Sequence, residues 1–303
     1  MRKGQRMGVP PTARIDMLLT ELTLEEKAAL MTGRGIWDAN PVERLGIPAL
    51  KVTDGPNGAR GAGILGTGAP VLCIPCGSAL GATWDQDLVE ELGAVLAAET
   101  RARACHVLLA PTVNIHRTPL GGRNFECYSE DPVLTGRTAA AFIRGVQGGG
   151  VGTTIKHFVA NDSEFERNSI DSVVPDRALR EVYLRPFEIA VSEAAPWGLM
   201  GSYNRVNGTF ACENRWLLTE VLRDEWGFDG IVVTDWFAAK STAVMAGSGL
   251  DLEMPGAGRF YGPTLVAAVE AGEVDEALLD EAARRLLTLL ERTGAFDVPF
   301  DRP

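Results

Sequence analysis

No stretch of this 303-residue chain approaches the roughly 18 continuous apolar residues of a membrane span. The N-terminus, Met1 to Leu19, is basic but holds no apolar run of signal-peptide length before the polar Ala13-Arg-Ile-Asp16. The chain is therefore expected to be soluble and cytoplasmic. It has no basic surplus: 29 Lys and Arg face 40 Asp and Glu, for a net charge of -11. Nucleic acid and anionic membrane are excluded as main partners, because binding phosphate needs a basic patch. Cysteines number five, an odd count without a leader, which predicts free thiols. Cys73-Ile-Pro-Cys76 spells CxxC, yet it lacks a thioredoxin context, and no second pair completes a zinc site. These two are expected to be small, part-buried residues near a strand. His116, His157 and Glu130 have no close helical ligand spacing, so neither a metal nor a cofactor is expected. Gly61-Ala-Gly-Ile-Leu-Gly66 spells GxGxxG, but Gly68 and Pro70 follow it with no helical period. A dinucleotide fingerprint would open a helix there, so the segment is expected to be a mobile loop at a pocket rim. There is no fixed-period repeat and no linker rich in Pro, Gly or Ser.

What is present is 46% hydrophobic residues and alternating strand and helix signals from end to end, an α/β pattern. A (β/α)8 barrel takes about 250 residues, so the expectation is one barrel over residues 1–303, with 1–40 as an extension and a helix packed on it. Thr23-Leu-Glu-Glu26 is a capping box opening a helix through Met31. Asp85 caps a helix over 86–104, and Asp131-Pro132 opens another. Helices are also predicted over 176–193, split or kinked at Pro186, over 217–226 and over 275–292. Strands are predicted at Leu50–Thr53, Val107–Ala110, Val151–Val159, from Leu199, at Ile231–Thr234 and at Leu250–Glu253. The eighth is placed between 258 and 268.

Strand after strand ends in polar residues: Asp54, His116, Lys156-His157, Tyr203-Asn204, Asp235 and Glu253. In a parallel barrel all strand C-termini open on one face, so these side chains converge. Asp235 follows Ile231-Val-Val-Thr234, the bare apolar run of a strand buried on both faces. It suits a rigidly held nucleophilic carboxylate, with Trp236 as an apolar wall for a sugar ring. It could equally cap a following helix. Asp54 could shape the Asp-Gly-Pro turn, Arg123 could pair at the surface with Glu126 or Glu130, and Lys156-His157 could be a solvated strand end.

Seven motifs then narrow the reading: Lys51-Val-Thr-Asp-Gly-Pro-Asn-Gly58, Arg117-Thr-Pro-Leu-Gly-Gly-Arg-Asn-Phe-Glu126, Tyr128-Ser-Glu-Asp-Pro132, Thr154-Ile-Lys-His-Phe158, Ser202-Tyr-Asn-Arg-Val-Asn-Gly208, Val233-Thr-Asp-Trp236 and Gly249-Leu-Asp-Leu-Glu-Met-Pro255. In this order, over roughly residues 15–297, the chain resembles the N-terminal (β/α)8 barrel of glycoside hydrolase family 3, β-glucosidase type. The resemblance implies a retaining, exo-acting β-glycosidase with Asp235 as nucleophile. It implies Asp54, Arg123, Lys156 and His157 as sugar-binding residues, with Arg60, Tyr203 and Trp236 in matched motifs. The substrate implied is a β-glucoside or a related small glycoside.

Val159-Ala-Asn-Asp-Ser-Glu-Phe-Glu-Arg167 lacks the His-Gly-His type loop of the family's N-acetylglucosaminidase branch. In the glucosidase branch the acid/base glutamate comes from a second α/β sandwich domain, which is not evident before Pro303. The expectation is that such a domain or a second chain supplies it. The alternative is a catalytically impaired sugar-binding barrel. Glu126, Glu130, Glu164 and Glu166 lie in or beside matched loops, and none is assigned the role.

Overall fold

The structure, a computed structural model, describes residues 13–61 and 70–297. Most of the GxGxxG segment, Ala62 to Gly66, lies outside the described residues. Parallel strands β1 (Val52–Asp54), β2 (Val107–Leu109) and β3 (Gly152–Phe158) run side by side. A short strand, β4 (Asp171–Ser172), lies off the main sheet and pairs with β6 (Arg205–Val206), which forms a hairpin with β7 (Thr209–Phe210). The main sheet continues through β5 (Gly198–Gly201) to β8 (Ile231–Thr234), so its order is β1-β2-β3-β5-β8. Every residue of β2, β3, β5 and β8 is buried, as a parallel sheet covered on both faces requires.

The curled sheet closes through short backbone contacts. Val233 bridges Leu252, and Glu253 bridges Thr32, both in parallel. The Gly33 N–H donates to Glu253 O (2.9 Å) and the Glu253 N–H to Met31 O (3.0 Å). On the other side Val52 N–H donates to Trp37 O (2.8 Å) and Ala39 N–H to Leu50 O (2.9 Å). Residues 31–39 thus complete the ring between the Leu252–Glu253 bridge and β1. Inside, Leu50, Leu109, Thr154, Val233 and Leu252 leave a void of only about 10 Å³, so this is a packed core and not a pore.

The strand expected between 258 and 268 is not there. The Glu253 carboxylate accepts from the N–H groups of Arg259 (2.9 Å), Phe260 (3.1 Å) and Tyr261 (2.7 Å). Those donors are then unavailable to a sheet ladder, and Pro263 opens a helix.

Four of the helices open at side-chain caps, and a π-type helix over Trp216–Glu225 stands where a helix over 217–226 is expected. In chain order the α-helices are α1 (Ala13–Glu21), α2 (Leu24–Leu30), α3 (Gly77–Thr83), α4 (Gln86–Ala102), α5 (Pro132–Gly148), α6 (Asp176–Ala178), α7 (Arg185–Ala194), α8 (Ala243–Ser248), α9 (Pro263–Glu270) and α10 (Glu276–Arg292). Thr23 and Glu26 make the reciprocal capping box of α2. Asp85, Asp131 and Asp275 accept first-turn N–H groups of α4, α5 and α10. The helical stretch from 176 does split ahead of Pro186: a wide π-type turn over Leu179–Tyr183 precedes α7, whose first turn tolerates the proline. α4 and α5 meet closely because Gly145 has no side chain; a Cβ there would lie 2.0 Å from Glu90 O. No helix among the described residues is long and apolar enough to cross a membrane.

One buried ionic knot ties α10 to the barrel. Asp251, fully buried, accepts from Val232 N–H (2.7 Å), Arg223 (2.7 Å) and Arg285 (2.9 Å). Removing the acceptor leaves two part-buried guanidinium groups uncompensated, which typically costs about 3–5 kcal/mol. Asp251→Ala is expected to lower the denaturant midpoint by a corresponding amount; a loss under about 1 kcal/mol, the range of an exposed pair, would contradict this role.

Candidate active site

The ends of β1, β3, β5 and β8 bring the predicted residues to one face. Asp54 closes β1. Its carboxylate accepts from the Lys156 ammonium at 2.5 Å and from the Arg60 guanidinium. The turn-shaping alternative does not describe this side chain, which points to two cations. Lys156 and His157 lie within β3 and are 3% and 2% exposed, so neither is a solvated strand end. Arg123 does pair with Glu126, yet its side chain is three-quarters buried. Thr112 holds the other Glu126 oxygen at 2.8 Å, so the pair is a rigid mount and not a surface contact.

Asp235 follows β8 directly and is 8% exposed. No helix begins behind it: the next, α8, starts at Ala243 with Thr242 at its cap. One carboxylate oxygen, Oδ1, accepts the Trp236 N–H at 2.7 Å, while Oδ2 is buried with no hydrogen-bond partner. His157 Nε2 stands 3.5 Å from that oxygen. Tyr203 packs its ring under the Arg167 guanidinium at 4.7 Å and donates its hydroxyl to Trp236 O (2.9 Å). The Trp236 indole donates to Ile36 O (2.9 Å) and leans on Trp37, ring centres 5.3 Å apart.

The two aspartates are tuned in opposite directions. Burial disfavours the Asp54 carboxylate, but Lys156, Arg60 and Arg123 outweigh it and hold the carboxyl below its usual range. Burial dominates at Asp235 and raises its carboxyl above that range, against the pull of Lys156, the Trp236 N–H, Arg123 and the nearby Tyr203 hydroxyl, whose own hydrogen bond goes to Trp236 O and leaves Oδ2 unpaired. Burial, with Arg123, Lys156 and Arg167 nearby, pushes His157 well below the usual imidazole value. Cations, a paired carboxylate and a bare buried carboxylate oxygen within one cluster suit a neutral polyhydroxylated ligand. The cations donate to hydroxyls, and the carboxylates accept from them. No cluster of three or more metal-ligating side chains occurs among the described residues.

Two participants, Asn114 and Arg167, escaped the sequence reading, and Glu126 takes a mounting role that it did not assign. Asn114, in the loop after β2, bonds His157 with both ends of its amide. Glu126 anchors Arg123, and Arg167 covers Tyr203. His116, read as a strand-end candidate, instead props the 124–127 loop through Asn124 O (2.8 Å) and Cys127 O (3.0 Å). A polar residue several positions beyond a strand carries no periodic signal, so only the folded geometry separates Asn114 from its neighbours. All five cysteines are free; Cys73 is exposed, and Cys76 precedes α3 at its N-terminus.

Comparison with known proteins places the chain in a family. The model of the glycosyl hydrolase family 3 N terminal domain matches residues 17–289. A β-glucosidase of Rhizobium radiobacter is 56% identical over 93% of this chain and 35% of its own length. A probable β-glucosidase J of Aspergillus fumigatus is 51% identical over 94% of the chain and 33% of its length. The chain thus spans about a third of the length of these relatives. Among solved structures, β-glucosidase of Kluyveromyces marxianus superposes with a TM-score of 0.89 at 42% identity, over 92% of this chain and 34% of that one. Thermotoga neapolitana β-glucosidase 3B in complex with glucose gives 0.89 at 41%, over 93% and 43%.

The buried histidines make stability depend on pH. His157 is held well below its usual value, and burial, reinforced by Lys51 and Arg101, lowers His106 to about 4. Below about pH 6.5 the unfolded chain binds two protons that the native chain refuses. Stability is therefore fully present above that pH and falls as pH drops through it, by up to about 2.7 kcal/mol per unit for two protons. Asp54 adds the same sign only at lower pH, and Asp235 opposes it there. Denaturant titrations between pH 7.5 and 5 are expected to show this slope, roughly halved in His106→Asn; a flat profile would contradict the burial of neutral imidazoles.

Proposed function

The chain belongs to glycosyl hydrolase family 3, and from that premise we propose that it is the sugar-binding, nucleophile-bearing barrel of a retaining, exo-acting β-glycosidase. The substrate would be a terminal, non-reducing β-D-glucosyl residue. The observation that carries the reading is Asp235 Oδ2: a carboxylate oxygen buried without a donor, at a strand end, inside a ring of cations. In this role Asp235 attacks the anomeric carbon and holds the glycosyl group covalently until water releases it. Asp54, Lys156, Arg123 and His157 bind the ring hydroxyls. Arg60 holds Asp54, Tyr203 flanks the nucleophile, and Trp236 walls the ring.

A retaining mechanism also needs an acid/base group about 5–5.5 Å from the nucleophile. Three carboxylates of the site loops and strands are already committed: Asp54 to Lys156 and Arg60, Glu126 to Arg123 and Thr112, Glu164 to Arg167. That commitment supports supply of the acid/base glutamate by an α/β sandwich domain or a second chain. On this reading the barrel alone handles good leaving groups far better than poor ones, because only the poor ones need protonation.

Three outcomes follow. A 2-fluoro-glucoside with a dinitrophenolate leaving group is expected to add one fluoroglucosyl mass at Asp235, and Asp235→Asn to slow labelling by about 10⁴-fold or more. Binding of glucose without an adduct would favour a sugar-binding barrel devoid of catalysis. The ratio of dinitrophenyl to alkyl glucoside cleavage is expected to be far larger for this chain than for one supplied with an acid/base; comparable rates on both substrates would contradict the external acid. Labelling is also expected to fail below an acid limb set by Asp235. Arg123→Met, which removes a cation that lowers that carboxyl, moves the limb to higher pH; a shift to lower pH would refute the assignment.

A further inference from the structure

The geometry points to Asn114 as a positioning residue that fixes the tautomer of His157, keeping the imidazole an acceptor toward Asp235 so that the nucleophilic oxygen stays free. This rests on the reading of Asp235 as nucleophile.

The argument begins with the backbone. The His157 N–H can only donate and the His157 C=O can only accept. The Asn114 amide meets both, at 3.0 Å each. Its orientation is thereby decided: Oδ1 faces the N–H, and Nδ2 faces the carbonyl. A flipped amide would set donor against donor and acceptor against acceptor. The same Oδ1 lies 3.2 Å from His157 Nδ1. An amide oxygen only accepts, so Nδ1 carries the ring proton. In a neutral imidazole, Nε2 is then a bare lone pair. That nitrogen is the one 3.5 Å from Asp235 Oδ2, and Oδ2 has no donor of its own.

Two acceptors, the Nε2 lone pair and the reacting oxygen Oδ2, therefore face each other at 3.5 Å. Were the proton on Nε2, it would donate to the carboxylate, stabilise its charge and occupy a lone pair needed for attack. The charged groups around the ring act together. Lys156 comes from the same strand, Arg123 from the 117–126 loop and Arg167 from the loop after β3, and all three oppose a second proton on the imidazole. Asp235, after β8, lies 3.5 Å from Nε2 and would favour it. Arginine and lysine keep the ring neutral; Asn114 chooses which nitrogen holds the single proton.

The test is nitrogen NMR of the full chain labelled at histidine, paired with the rate of adduct formation from the 2-fluoro-glucoside. In the wild-type chain Nδ1 is expected to show the protonated, pyrrole-type signal and Nε2 the bare, pyridine-type signal. An Nε2–H wild type overturns the proposal without any variant. In Asn114→Ala the proton is expected to move to Nε2 and the labelling rate to fall about 10- to 100-fold, the range of one charge-assisted hydrogen bond. The fall should be absent when the substitution is made in a His157→Ala background. An unmoved tautomer, or an equal fall in both backgrounds, overturns the proposal. Wild-type chain that forms no adduct at all overturns the nucleophile reading, and with it any role of Asn114 in the reaction, while the spectrum still decides the tautomer independently.

Discussion

The Lys156 ammonium, 3% exposed and 2.5 Å from Asp54, is the charge around which the site is arranged. A buried ammonium must be paired, and here two carboxylates lie within its field. Asp54 takes the direct bond and is held ionised. Asp235 feels the same charge without touching it, and burial keeps the upper hand there. One cation thus separates two chemically identical groups, a hydrogen-bonded acceptor and a carboxylate with an unoccupied oxygen. Such divergence of paired acids is the usual route to different roles in one site.

The barrel makes this arrangement affordable in folding terms. Asp54 and Lys156 lie in β1 and β3 and Asp235 follows β8 directly; they are far apart in sequence, and the three strands are held in one parallel sheet. None of the three side chains can drift without moving a strand whose faces are packed. Loops then add the groups that adjust rather than define the site: Arg123 on its Glu126–Thr112 mount, Arg167 over Tyr203, and Asn114 on His157.

Much of this was legible before folding. Ile231–Thr234 reads as a buried strand because parallel sheets demand continuous apolar or small residues, Val151–Val159 reads as a strand without showing that its Lys156-His157 end is buried, and the polar residues at strand ends mark the open face. The caps at Thr23, Asp85 and Asp131 are local and were equally plain. Ring closure was not. Leu250–Glu253 reads as a strand and joins through isolated bridges at Leu252 and Glu253, but residues 31–39, which complete the ring, leave no strand-length pattern, and the 258–268 segment was mistaken for a strand because nothing local reveals that Glu253 captures its N–H groups. Asn114 was missed for a related reason: its importance lies in a contact 43 positions away.

A crystal structure of the chain soaked with glucose tests the central claim most directly. The account predicts the anomeric carbon about 3–3.5 Å from Asp235 Oδ2, a near-attack separation, with hydroxyls at the far side of the ring bonded to Asp54 and Lys156. A sugar bound with its anomeric carbon at Asp54, or outside the ring of Arg123, Lys156 and Asp235, would contradict it.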